Sequence, residues 1–144
     1  MDMSRVSCCT YPFRERPWRD ALQAIAAAGY RKVDLLGRAP HLSLDPQECD
    51  PAEIGAAAAA LGLRIANLGT YPGKGFAGDE AAAERELALV QRAVDVAAQL
   101  GARSIRVAAG DDNPDSLDRL VPWLRLAADY AESRGIVMGV ETHG

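Results

Sequence analysis

Ala21-Leu22-Gln23-Ala24-Ile25-Ala26-Ala27-Ala28-Gly29, running on into Tyr30-Arg31-Lys32-Val33-Asp34-Leu35-Leu36, is a helix, a stop and a strand in one uninterrupted stretch. Trp18, Leu22, Ile25 and Ala28 fall three or four apart and give one apolar stripe, the period of a helix packed on a core. Gly29 follows as a helix-terminating glycine should. The short apolar run 32–36 behind it reads as a strand. The same unit returns three times, marked by Gly62, Gly101 and Gly135, with spacings of 33 to 39 residues. Helix 52–61 leads to strand 64–68, helix 80–100 to strand 104–108, and helix 121–134 to strand 136–140. A further strand over 5–10 precedes them all. Asp50 and Asp79 stand where N-caps belong, and Pro17 and Pro122 suit the first turns of their helices.

Strand, helix, strand in strict alternation predicts an α/β fold with a parallel sheet and helical crossovers. Two closures fit the pattern. An open doubly wound sheet of five strands is complete at 144 residues. A (β/α)8 barrel needs roughly 250, so this chain would supply a partial TIM barrel, about β1 to β5 of eight, as one domain over 1–144.

The bulk composition narrows the function classes. Hydrophobic residues make up 49% and charged residues 25%, ordinary for a globular domain. Sixteen basic against 20 acidic side chains leave a net charge of −4, which argues against nucleic acid or an anionic membrane as partner. No stretch has the length of a membrane span or the form of a signal peptide. Cys8, Cys9 and Cys49 form no disulfide framework, so a reduced, cytoplasmic setting is expected.

The chain closes on Val140-Glu141-Thr142-His143-Gly144. Glu141 and His143 are two apart, so in an extended segment they project to the same side. The carboxyl ends of strands are where α/β proteins bind ligands. His143 is therefore a candidate proton shuttle or hydrogen-bond donor to a substrate hydroxyl. Glu141 offers a hard carboxylate oxygen suited to Mg²⁺, Mn²⁺ or Zn²⁺, or a base. After the second strand, Arg38 could meet a substrate phosphate or carboxylate and His41 could touch substrate. Asp34, a charge inside a strand, must be paired or face the open end.

The loop 69–78 contains a literal G-x-G-x-x-G in Gly73, Gly75 and Gly78. A dinucleotide fingerprint needs those glycines in the turn between strand and helix and an acid about twenty residues on. Thr70-Tyr71-Pro72 intervenes here, and Asp95 lies mid-helix. A flexible loop over the open end fits better, with Lys74 a possible phosphate contact. Asp111-Asp112-Asn113-Pro114-Asp115 reads as a turn and helix cap rather than a metal cluster. Cys8 and Cys9 read as packed thiols.

Taken in order, Ala21 through Tyr30 into Val33-Asp34-Leu35, then Leu61-Gly62-Leu63-Arg64-Ile65-Ala66, Ala97-Ala98-Gln99-Leu100-Gly101-Ala102 and Tyr130 through Ile136 closing on Glu141-Thr142-His143, the chain resembles the xylose isomerase-like TIM barrels of the sugar phosphate isomerase/epimerase superfamily. That resemblance implies a metal-dependent isomerase or epimerase that moves a proton beside the carbonyl of a small polyol or keto-sugar. It implies a divalent metal at the carboxyl face, with Glu141 as the strand-5 ligand. The Asp, His and Glu that later strands supply in the family have no counterpart in this sequence. The chain is thus expected to be the amino-terminal part of such a barrel. The competing expectation is a non-catalytic half-barrel that associates with itself or a partner through its exposed sheet edges.

Overall fold

The computed structural model describes residues 5–108, 110, 113 and 116–141. Strands and helices alternate as β1 (Cys8–Cys9), α1 (Trp18–Ala27), β2 (Lys32–Leu36), α2 (Pro51–Ala60), β3 (Arg64–Gly69), α3 (Glu80–Gln99), β4 (Ser104–Ala108), α4 (Leu117–Ser133) and β5 (Val137–Glu141). The sheet runs β1-β2-β3-β4-β5 with every pairing parallel. A doubly wound sheet would reverse its order at a switch point. This sheet never does, and right-handed crossovers then lay the helices on one face. The architecture is a partial TIM barrel whose sheet is not closed.

The helix stops follow the expected chemistry. Gly29, Gly62, Gly101 and Gly135 have φ of 87°, 69°, 67° and 69°, the left-handed region. Asp50 accepts from Ala52 N at 2.9 Å and Asp79 from Ala82 N at 2.8 Å; each cap contributes about 1 kcal/mol.

Two boundaries differ from the sequence reading by more than one residue. β1 pairs only at Cys8 and Cys9, not over 5–10, and beyond it the chain turns into a 3-10 segment at Tyr11–Phe13. α4 begins at Leu117, not 121, which puts Pro122 inside the helix rather than in its first turn. Pro122 is exposed there, where the backbone acceptor it leaves without a helical donor can reach water.

The core lies between the sheet and its helices. Val33, Leu35, Ile65, Leu68, Ile105 and Val107 turn outward from the sheet onto Leu22, Ile25, Ile54, Val90, Val94 and Ala127, all of them buried. β3 carries a bulge: Val33 pairs with Ile65, but Asp34 pairs with Asn67. The extra residue, Ala66, lets Ile65 and Leu68 both reach the helices and swings Asn67 to the opposite face beside Asp34. Asp95 on α3 accepts from the Tyr130 hydroxyl at 2.9 Å and pairs with Arg134 at 3.1 Å. It is a tie between α3 and α4, not a ribose-binding acid. No helix among the described residues is long and apolar enough to cross a membrane.

Candidate functional site at the carboxyl ends of the strands

The face of the sheet away from the helices is polar, and its side chains converge toward the carboxyl ends. Ser104 Oγ donates to Asn67 Oδ1 at 2.7 Å, and Asn67 Nδ2 donates to Asp34 Oδ1 at 2.7 Å. This chain of hydrogen bonds crosses three adjacent strands. Burial pushes the Asp34 carboxyl above its ordinary value; the Asn67 hydrogen bond and the Arg106 charge pull it back, and the Glu141 charge pushes it up again. Asp34 therefore keeps its proton to higher pH than a solvated aspartate.

Arg106 ties the other side together. Its guanidinium is hydrogen-bonded to Glu141 Oε2, donates from Nε to Thr70 O at 2.9 Å and from Nη2 to Gly69 O at 3.4 Å, and lies 4.3 Å from the Tyr71 ring centre. One side chain on β4 thus orients the acid at the end of β5 and the loop after β3. Above these groups opens a cavity of about 600 Å³ whose lining includes Asp34, Asn67, Arg106 and Glu141, with Cys9, Tyr11, Arg38 and Tyr71 at its rim. Its size and its few convergent polar groups are those of a small-molecule site.

The sequence candidates are distributed unevenly. Glu141 and Arg38 both line this cavity. His143 lies outside the described residues, as do Asp111, Asp112 and Asp115. Lys74 is exposed in the 3-10 turn Lys74–Ala77 and does not line the cavity. His41 is 2% exposed. Its Nε2 faces Phe13 O and Arg16 O at 3.1 Å each, so that nitrogen carries the hydrogen, and its Nδ1 meets Thr10 Oγ1 at 2.8 Å. Thr10 Oγ1 in turn accepts from Leu36 N at 2.9 Å. His41 fastens the loop after β2 to the loop after β1, and both its ring nitrogens are spent on protein atoms.

The glycine loop is anchored. Glu86 of α3 accepts from Gly73 N at 2.6 Å through Oε1 and from Gly75 N at 3.1 Å through Oε2, while Phe76 is fully buried. The amides that a phosphate would need are filled by the protein's own carboxylate. Cys9 is exposed at the rim rather than packed, with burial first and then the Asp34 charge among the causes that hold its thiol above the ordinary value. A thiol held up in this way is a poor nucleophile. For a divalent metal, the described residues offer no group of three or more His, Cys, Asp or Glu, and Oε2 of Glu141 is engaged by Arg106. The described residues alone do not fit such an ion.

Arg106, Asn67, Ser104, Tyr11 and Tyr71 were not singled out by sequence reasoning. The signal for Arg106 and Asn67 was the one that marked Asp34: a polar residue inside an otherwise apolar strand.

Comparison with known proteins agrees with the fold. The sequence profile described as xylose isomerase-like TIM barrel matches residues 22–144. No curated protein matches the chain in sequence. Among solved structures, a xylose isomerase domain protein from Alicyclobacillus acidocaldarius is 25% identical, with TM-score 0.70 over 96% of this chain and 50% of its own. A xylose isomerase-like TIM barrel protein from Mycobacterium smegmatis, in complex with magnesium, is 16% identical, with TM-score 0.77 over 100% of this chain and 57% of its own. D-allulose 3-epimerase from Methylomonas sp., in complex with D-allulose, is 24% identical, with TM-score 0.65 over 88% of this chain and 45% of its own. The chain spans about half the length of each of these three structures.

Proposed function

Because this chain belongs to the xylose isomerase-like TIM barrel family, we propose that it supplies the β1–β5 side of an isomerase or epimerase site for a small polyol or keto-sugar. The observation that carries this reading is the meeting of Asp34, Asn67, Arg106 and Glu141 at one cavity over the carboxyl ends. Asn67 and Asp34 are placed to hydrogen-bond substrate hydroxyls. Glu141, oriented by Arg106, removes the proton from the carbon beside the carbonyl, leaving an enediolate on the substrate. A proton returned to the same carbon from the opposite face gives the epimer; returned to the neighbouring carbon, with the hydroxyl proton passing to the other enediolate oxygen, it gives the isomer. Asp34, the second acid lining the cavity, takes the donor's part among the described residues.

Metal dependence is part of this proposal through the family, with Glu141 as one donor and the remaining donors outside the described residues. The test is wash-in of solvent deuterium, followed by proton NMR on a panel of ketopentoses and ketohexoses in D2O, with magnesium and with chelator. Loss of the signal beside the carbonyl for at least one sugar, suppressed by chelator, is the expected result. No exchange on any sugar would remove the catalytic reading.

One observation favours a second reading. β5 is an edge strand with Val137 67% and Val140 45% exposed, and Leu117 and Leu126 of α4 are exposed as well. A half-barrel that associates through this edge without catalysis would form a tight dimer that exchanges no sugar proton.

A further inference from the structure

We infer that Ser104 is a positioning residue for this site: through the Asn67 amide, its hydroxyl steadies Asp34 as that carboxyl gives up its proton. The inference rests on the proposed sugar site and adds the group that supports its donor.

Asp34, Asn67 and Ser104 are direct cross-strand partners on β2, β3 and β4, so their side chains stand in one row. Ala66, the extra residue of the bulge, brings Asn67 into that row. Both links are short and run one way. Ser104 Oγ donates to Asn67 Oδ1 and Asn67 Nδ2 donates to Asp34 Oδ1, each at 2.7 Å. A hydroxyl two strands away thus ends a chain of donors aimed at the carboxyl.

An amide has two ends of nearly the same shape, and only the nitrogen end can donate to a carboxylate. The Ser104 hydroxyl satisfies the oxygen end in that orientation and polarises the N–H groups toward Asp34. A chain that ends on a charged oxygen is stronger than one that ends on a neutral oxygen. Ser104 therefore supports the ionised form of Asp34 more than the protonated form.

That difference matters at the moment Asp34 acts. Its O–H bond breaks, the proton forms the new C–H bond of the sugar, and the electron pair stays on the carboxylate. Burial opposes the charge left behind. The titratable and charged groups around it are Cys9 on β1, Arg106 on β4 and Glu141 on β5. Tyr11, Arg38 and Tyr71 line the same cavity from the loops. Arg106 favours the carboxylate and Glu141 opposes it. Ser104 lines the adjoining recess along β4 and β5 rather than the sugar cavity. Its hydrogen-bonded route to Asp34 runs through Asn67.

The experiment follows the Asn67 side-chain amide by NMR as pH is varied, with nitrogen-15 in the asparagines. The chain has two asparagines, Asn67 and Asn113, and Asn113→Ser leaves the Asn67 pair alone in the spectrum. Asp34→Asn identifies the inflection due to Asp34 by abolishing it. Ser104→Ala is expected to move that inflection to higher pH, because the carboxylate loses support. Ser104→Thr keeps the hydroxyl and is expected to leave the inflection in place. In deuterium wash-in on an exchanging ketose, Ser104→Ala is expected to lower kcat about 2- to 10-fold, the worth of one hydrogen bond, with KM unchanged and Ser104→Thr restoring the rate. An inflection that Ser104→Ala does not move would overturn the inference, as would one that Ser104→Thr moves equally far, or an unchanged kcat. An unmoved inflection in a protein that exchanges sugar protons sinks the inference and leaves the proposed function standing. A moved inflection in a protein that exchanges no sugar proton keeps the support of Asp34 by Ser104 and sinks the proposed function.

Discussion

Glu141→Gln is expected to slow deuterium wash-in beside the substrate carbonyl by about 10²- to 10⁴-fold, the usual worth of a positioned general base. Glutamine keeps the size of the side chain and an oxygen for Arg106, so the cavity should persist while the basic oxygen is lost. The Glu141 side chain is 40% exposed and that of Arg106 is 23% exposed. Solvent screens a pair of this kind, and its loss should cost the fold little. Activity and stability should therefore separate: exchange collapses while the urea midpoint stays within the spread of surface substitutions. Exchange retained above about a tenth of the original rate would place the base elsewhere. His143, two residues on, would be the next candidate.

Gly73→Ala should do the opposite, damaging structure first. Gly73 has φ of 131°, a conformation L side chains rarely adopt. A Cβ there would land on the carbonyl oxygen of Ala108 and come within 2.9 Å of its nitrogen. That space is closed because Pro72 O accepts from Ala108 N at 2.8 Å, holding the loop flat on β4. Alanine must either push the loop from β4 or strain it, at about 2–5 kcal/mol from the backbone and overpacking costs together. The loop carries Tyr71 and receives Arg106 at Thr70 O, so sugar binding should fall along with stability. Urea unfolding followed by circular dichroism reads the first effect and calorimetry the second. A variant with the original midpoint and affinity would show that the loop does not fix the cavity.

The architecture was legible because each unit carries its own stop. A helix stripe, a glycine and an apolar strand recur four times, and local chemistry alone sets those boundaries. What the pattern could not choose was the closure, since sequential and doubly wound orders share the same alternation; only the pairing of each strand with its chain neighbour decides it. Glu141, picked because a strand end is a privileged position, and Arg38, picked because the loop after β2 opens on the same end, both line the cavity. His41 was picked by residue type, and only tertiary structure reveals Thr10, Phe13 and Arg16 around it. Asn67 was hidden by the bulge at Ala66, which shifts the alternation so that period-two reading gives the wrong face. Arg106 was hidden differently: its partners Glu141, Thr70 and Gly69 lie about 35 residues away in both directions, beyond any local pattern. The glycine loop shows the reverse case, where a familiar spacing serves the anchoring of Glu86.

A crystal soaked with a keto-sugar that the protein exchanges would locate the chemistry. The expected result is sugar density across Asp34, Asn67 and Arg106, with the carbon beside the carbonyl against the Glu141 carboxylate. Density confined to the neighbouring 480 Å³ cavity beside Ser43 and Leu89, with the space over Glu141 empty, would contradict it.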